Sequence, residues 1–203
     1  MCRQRGFSLL EMLVVLLVVV VIVSLASLNT GSGAEERRLA EEVRFLADIA
    51  AYARDEAAFS GRDFGLLVGE ELRGGERVTV LRFRERRLPG EREAMPGDED
   101  AADGPLWERP RGDAELFEPL VFPASLDIEL AIEGVPVALD RGGHRQEAAT
   151  GGVPQVIFYA SGEATPGTLV FRQAATGDFL WELRWDLLGR SEITDDPLGA
   201  GDA

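Results

Sequence analysis

Glu11 is the residue whose placement most needs a chemical explanation. It stands near the start of a run from Phe7 to Leu28 in which it is the only charged residue. A carboxylate held in lipid costs about 2.5–3.5 kcal/mol on insertion scales. A charge kept at that cost marks Glu11 as a functional candidate. Other candidates are weaker. His144, the only histidine, sits among Arg141, Gly142, Gly143 and Arg145, an expected loop. Asp98, Glu99, Asp100 and Asp103 offer oxygens for calcium but lack EF-hand spacing, so they read as a solvated acidic loop. Glu163 follows a tight turn and reads as structural. No Ser-His-Asp set, metal-ligand cluster or phosphate loop stands out. The sequence therefore assigns no catalytic residue, no cofactor and no metal, and the chain is not expected to be an enzyme.

Arg82, Arg84 and Arg86 would share one face of a strand, with Arg87 and Arg92 close by. This stripe is the best case for nucleic acid. Against it stands a net charge of -15, and from residue 29 onward 35 acids face 19 bases. Phosphate binding needs clustered cations with little opposing field, so a solvated strand face is the favoured reading.

The element that must position Glu11 is a helix. Phe7–Leu28 spans about 22 residues, or about 33 Å at about 1.5 Å per residue, enough for a hydrocarbon core of about 30 Å. Arg3 and Arg5 precede it and no basic residue follows until Arg37. That asymmetry puts the N-terminus in the cytoplasm and the remainder outside. A cleaved signal peptide fits poorly, because the apolar run is long, an acid sits at its cytoplasmic edge, and Ala26-Ser27-Leu28 is a poor cleavage site. A plain uncleaved anchor is the other bland reading. Cys2, the only cysteine, precedes the run, so no disulfide is expected downstream.

Downstream, Asn29-Thr30-Gly31-Ser32-Gly33 reads as a flexible break. Glu35–Ser60 reads as an amphipathic helix, with Leu39, Val43, Leu46, Ala50, Ala53 and Ala57 on one face and Gly61 as its C-cap. The period then becomes two. Strands are expected at Phe64–Val68, at Arg77–Glu85, and at Leu126–Ile132 with Val135, Val137 and Leu139 as partner across Glu133-Gly134. A central strand at Gln155–Ala160 turns at Ser161-Gly162-Glu163 and returns at Leu169–Arg172, and Phe179–Trp185 follows. Glu91–Pro119 reads as a long acidic loop and Asp195–Ala203 as a frayed tail. One helix and about seven strands give an α+β domain, the sheet packed on the helix and on a second sheet.

Gly6-Phe7-Ser8-Leu9-Leu10-Glu11, between a short basic leader and an apolar helix, closely resembles the leader junction of type IV pilins and type II secretion pseudopilins. Two further stretches are similar to the H-type minor pseudopilins (the GspH/FimT family). They are Pro154–Pro166, with its Ser-Gly-Glu-x-Thr-Pro turn, and Trp185-Asp186-Leu187-Leu188-Gly189-Arg190; Ala53–Arg62 resembles the end of that family's helix. The resemblance implies a type IV pilin-like fold, a long N-terminal hydrophobic helix packed on antiparallel sheets. It also implies a leader at 1–6, a transmembrane and assembly helix at 7–28 and a periplasmic domain at 29–203. A prepilin peptidase would cut between Gly6 and Phe7 and methylate the new Phe7 amine. The missing side chain of Gly6 lets a protease approach the backbone, and methylation keeps the amine cationic. Glu11 could then pair with the Phe7 amine of a neighbouring subunit. Implied partners are the other minor pseudopilins, the major pseudopilin, the peptidase and inner-membrane lipid. The alternatives are a minor pilin of a type IV pilus and, on the arginine stripe, a pilin-like DNA receptor.

Overall fold

The computed structural model describes residues 9–87, 106–112, 115–141 and 152–196, and for residues 22–32, 140 and 141 the backbone only. The chain forms two compact units, Met1–Glu42 and Val43–Ala203. The helix α1, Leu9–Ser60, supplies the described residues of the first unit and opens the second. The break expected at Asn29–Gly33 is absent, and the backbone there is helical. A mid-helix glycine costs only about 1 kcal/mol relative to alanine. With no proline present, Gly31 and Gly33 do not stop a helix that propagates from both sides.

Among the described residues no helix is long and apolar enough to cross a membrane. Of the span expected over residues 7–28, side chains are described for residues 9–21 alone.

In the second unit α1 buries Val43, Leu46, Ala47, Ile49, Ala53 and Ala57. Most of the expected stripe is there, with Ile49 taking the inward place expected of half-buried Ala50. Gly61 ends the helix at φ 70°, its N–H donating to Ala57 O at 3.0 Å. That is the left-handed C-cap in which glycine has no Cβ penalty.

Eleven strands follow among the described residues, against the about seven expected. β1 (Phe64–Arg73) and β2 (Glu76–Arg86) form a long hairpin closed by Gly74 and Gly75, both at positive φ. β3 (Trp107–Glu108) and β4 (Leu120–Phe122) pair along the far side of β2. β7 (Asp140–Arg141, parallel) and β8 (Val156–Phe158, antiparallel) pair along the far side of β1. The second sheet is antiparallel, in the order β11 (Ser191–Thr194), β10 (Phe179–Trp185), β9 (Gly167–Gln173), β5 (Leu126–Ile132), β6 (Val135–Val137). β5 and β6 turn at Glu133 (φ 51°) and Gly134 (φ 77°), the two positive angles of a tight two-residue hairpin.

Two expectations need correction. The Gln155–Ala160 run is not a central strand. β8 is three residues long and pairs with β1 at the sheet's margin, with one further bridge from Phe158 to Ala164. Leu169–Arg172 does not return beside it, because β9 belongs to the other sheet. Ser161–Pro166 is therefore a crossing between sheets. Glu91–Pro119 is also not wholly a loop, since it contains β3 and buries Trp107 and Phe117. Hydrophobic periodicity needs several residues to register, and isolated aromatics among acids give none. The acids Glu91, Glu93, Asp98, Glu99, Asp100 and Asp103, together with Arg92 and His144, lie outside the described residues.

The core is aromatic where the layers meet. Phe117 lies 5.5–5.7 Å from the rings of Tyr52, Phe64 and Phe83, tying the end of α1 to β1 and β2. Phe122 of β4 meets Phe171 of β9 at 5.5 Å, joining the two sheets. At the margin of β1, between the reach of β8 and β7, the Gln155 side chain takes a strand's place. Val68 N–H donates to Oε1 and Nε2 donates to Val68 O, both at 2.9 Å.

Candidate functional site

Two places hold the residues that the sequence singled out. The first is the start of α1. Glu11 lies in the first turn of the helix, where the positive end of the helix dipole favours a carboxylate. Around it Leu9, Leu10 and every residue from Met12 to Val21 are large, apolar and exposed, Leu9 at 84% and Val21 at 50%. A helix that is apolar all round has no face for water, so it must be buried in lipid or among other apolar helices. Gly6 and Phe7, the expected cleavage pair, lie outside the described residues.

The second place is built by three stretches far apart in sequence. The turn after β10 is organised by Asp186, whose carboxylate accepts from the Leu188 and Arg190 backbone N–H groups at 2.9 Å and from Arg190 Nε at 2.9 Å. The Arg190 backbone bond leads the effects that hold the Asp186 pKa below the usual carboxylate value. Gly189 in this turn has φ 65°, and a Cβ there would stand 2.8 Å from Arg54 Cδ. Arg54, near the end of α1, donates to Gly189 O at 3.4 Å. The crossing segment docks on the same turn, with Ala164 N–H donating to Leu187 O at 2.7 Å and Trp185 Nε1 donating to Thr165 O at 2.7 Å. Gly167 is seated under the Trp185 ring, where a Cβ would collide. Thus the Ala53–Arg62, Pro154–Pro166 and Trp185–Arg190 stretches meet at one junction between the helix and the second sheet. Its bonds are all structural. Glu163 contributes its backbone carbonyl, which accepts from Tyr159 N–H at 2.8 Å, while its side chain is exposed.

A cleft of about 260 Å³ opens beside the end of α1, lined by Tyr52, Glu56, Arg62, Glu85, Arg111 and Phe117 among others. Its nearly buried Glu85 carboxylate accepts from Arg62 at 2.6 Å and from the Arg111 backbone N–H at 3.0 Å. Both oxygens are occupied, one by Arg62 just after α1 and the other by residues 106–112, which it holds to the sheet. Sequence reasoning missed Glu85, because its partners are 23 and 26 residues away.

The arginine stripe is largely engaged within the domain. Arg82 pairs with Glu71, Arg86 with Asp63 at 2.8 Å and Arg87 with Glu108. Burial pushes the Glu71 carboxyl up, but its bonds to Arg82 and Arg73 outweigh this and leave its pKa below the ordinary value. Among the described residues no group of His, Cys, Asp and Glu is arranged to hold a metal ion.

The chain is similar to known proteins at its N-terminus and over most of its length. Residues 1–27 match the prokaryotic N-terminal methylation motif. The chain is 28% identical over 162 residues to type II secretion system protein H of Pseudomonas aeruginosa, covering 80% of this chain and 79% of that one. A structure of the minor pseudopilin EpsH from the type 2 secretion system of Vibrio cholerae superimposes with a TM-score of 0.53 at 18% identity, over 83% of this chain and 99% of that one. A crystal structure of the same pseudopilin gives 0.53 over 83% and 97%. This chain has the minor pseudopilin fold. The pilin-like α+β architecture read from the sequence is therefore the observed one, and the N-terminal motif accompanies it on the same chain.

Proposed function

We propose that this chain is an H-type minor pseudopilin of a type II secretion system, a structural subunit and not an enzyme. It is made as a prepilin with a leader at 1–6 and a membrane and assembly helix at 7–28. Residues 29–203 form a domain on the periplasmic side of the inner membrane. The observation that carries the reading is the union, on one chain, of the methylation motif with similarity to type II secretion system protein H over most of both lengths. The physical side is the all-apolar start of α1, whose only charge is Glu11. An unpaired charge in lipid is unfavourable, and a partner's terminal amine relieves that cost only on assembly. Glu11 thereby favours the assembled state without obstructing insertion at the membrane edge. The partners are other minor pseudopilins, the major pseudopilin and a prepilin peptidase.

Mass spectrometry of the mature N-terminus tests the processing step. The expected terminus is N-methylated Phe7, and Gly6→Val should leave the precursor uncut. A terminus near Asn29 would establish a cleaved signal peptide instead. Glu11→Ala should insert into the membrane as wild type does and lose crosslinks to other pseudopilins. Unchanged crosslinking would remove the role assigned to Glu11. Deletion of the gene should impair protein secretion. A defect in surface pili with secretion intact would favour the type IV pilus reading.

A further inference from the structure

The last turns of α1 form one wall of the cleft beside the first sheet. Tyr52, Glu56 and Ser60 stand four residues apart, so they lie along one face of the helix. Phe64 of β1, Glu85 of β2 and Phe117 line the cleft from the sheet and from the segment after β3. The Phe117 ring lies 5.7 Å from Tyr52 and 5.6 Å from Phe64, so three aromatic rings share about 260 Å³. The charges here are unequal. Arg62 is held by Glu85 at 2.6 Å and Arg111 by Glu108 at 3.3 Å. Glu56, half-buried on the helix face, makes three carboxylates against these two guanidiniums. The cleft also lies at the C-terminal end of α1, whose last turn carries no basic residue. That end of a helix is its negative pole.

Aromatic faces, an added carboxylate and a helix C-terminus each attract a cation. A guanidinium fits better than an ammonium. It is planar and weakly hydrated, so it stacks on a ring while its N–H groups reach a carboxylate. The volume is smaller than the about 300–1,000 Å³ of pockets that enclose whole ligands, so it suits one side chain. We propose that this cleft takes an arginine side chain from another subunit of the assembly, its guanidinium set against the Tyr52 and Phe117 rings and the Glu56 carboxylate. That the donor is a subunit rests on the function proposed above; the arginine site does not. A second copy of this chain is a poor donor, because each copy carries a net charge of -15 and like charge opposes its approach. The donor is a subunit of a different kind.

The site is tested on the full chain in nonionic detergent, reading the amide signals of Ser60 and Gly112 and the side-chain carboxyl signal of Glu56. Capped arginine should shift them saturably. Capped citrulline, which keeps the shape and lacks the charge, should bind at least fivefold more weakly, and capped lysine should fall between the two. Glu56→Gln should weaken capped arginine at least fivefold. Asp55→Asn removes an equal charge outside the lining and should change the affinity less than twofold. Four results overturn the site: no saturable response to capped arginine, citrulline or lysine binding as well as arginine, equal losses in the two variants, or a stronger response to inorganic phosphate. The three capped probes on the wild-type chain decide the matter even if Glu56→Gln does not fold. In cells, p-benzoylphenylalanine in place of the exposed Phe59 should crosslink to another pseudopilin, identified by mass, and Glu56→Gln should lower that yield at least fivefold. No pseudopilin adduct, or one untouched by Glu56→Gln, overturns the subunit as donor. Normal processing at Gly6 with no response to capped arginine would sink this site and leave the proposed function standing.

Discussion

The first described turns of α1 and the domain from Val43 onward solve opposite problems with the same residue types. In the domain, large apolar side chains such as Phe122, Phe158 and Phe171 are sealed inside, and carboxylates such as Glu85, Glu71 and Asp63 sit against arginines. From Leu9 to Val21 every apolar side chain faces outward and the one carboxylate is exposed among them. The domain buries these side chains and pairs these carboxylates within one chain. Contacts for the helix start must come from other molecules. Sequence changes in the two regions should therefore report on different equilibria: folding in one, insertion and assembly in the other.

The largest expected effect is in the domain core. Phe171→Ala removes a ring that is fully buried and touches Phe122 across the two sheets. It should cost about 3–5 kcal/mol, read as a lowered midpoint in denaturant unfolding followed by near-ultraviolet circular dichroism. A loss below about 1 kcal/mol would mean that the inter-sheet core is not what holds the domain. Next comes the junction turn. Gly189→Ala places a Cβ at φ 65° and against Arg54, and should cost about 1–2 kcal/mol from the left-handed backbone alone. Gly112→Ala, which meets open space, is the matched control and should be close to neutral.

These expectations also mark what was legible in the sequence. The helix over Glu35–Ser60, its Gly61 cap and the β5–β6 hairpin were readable because each rests on contacts only a few residues apart. The crossing at Ser161–Pro166 was not, because a turn followed by an apolar run looks the same whether the next strand joins its own sheet or another. Trp107 and Phe117 were hidden for a related reason. Each is a single buried aromatic in a polar stretch, and only the folded chain brings them to Gly65 or to Tyr52, Phe64 and Phe83. Of the N-terminal site, Glu11 was legible from charge alone, since an acid inside an apolar run is conspicuous without any fold. Glu85 emerged only from contacts that the folded chain makes across 23 and 26 residues.

A smaller effect concerns pH. Asp186 has its folded pKa lowered below its ordinary value of 3.8. Its contribution is fully present above that value and is lost as pH falls through the lower, folded pKa. The Leu188 and Arg190 amide resonances should titrate together with a midpoint below 3.8; a midpoint at or above it would mean that the carboxylate does not organise the turn. The smallest effect is in the other region. Val15→Ala trims a side chain that is 53% exposed and should change the domain's unfolding free energy by less than about 0.5 kcal/mol. A larger change would erase the contrast between the two regions.

The Gln155 side chain that grips both polar groups of Val68 has a consequence for how the edge of the first sheet meets other chains. β1 runs ten residues, while β8 and β7 shield only Phe64–Leu66 and Gly69–Glu70 of its outer margin. A bare stretch of backbone there would be a template on which the strand of another molecule could add. In the assembly proposed above, such zippering would compete with ordered stacking. By occupying the Val68 N–H and C=O, one amide fills the gap between β8 and β7 and denies that stretch to another strand.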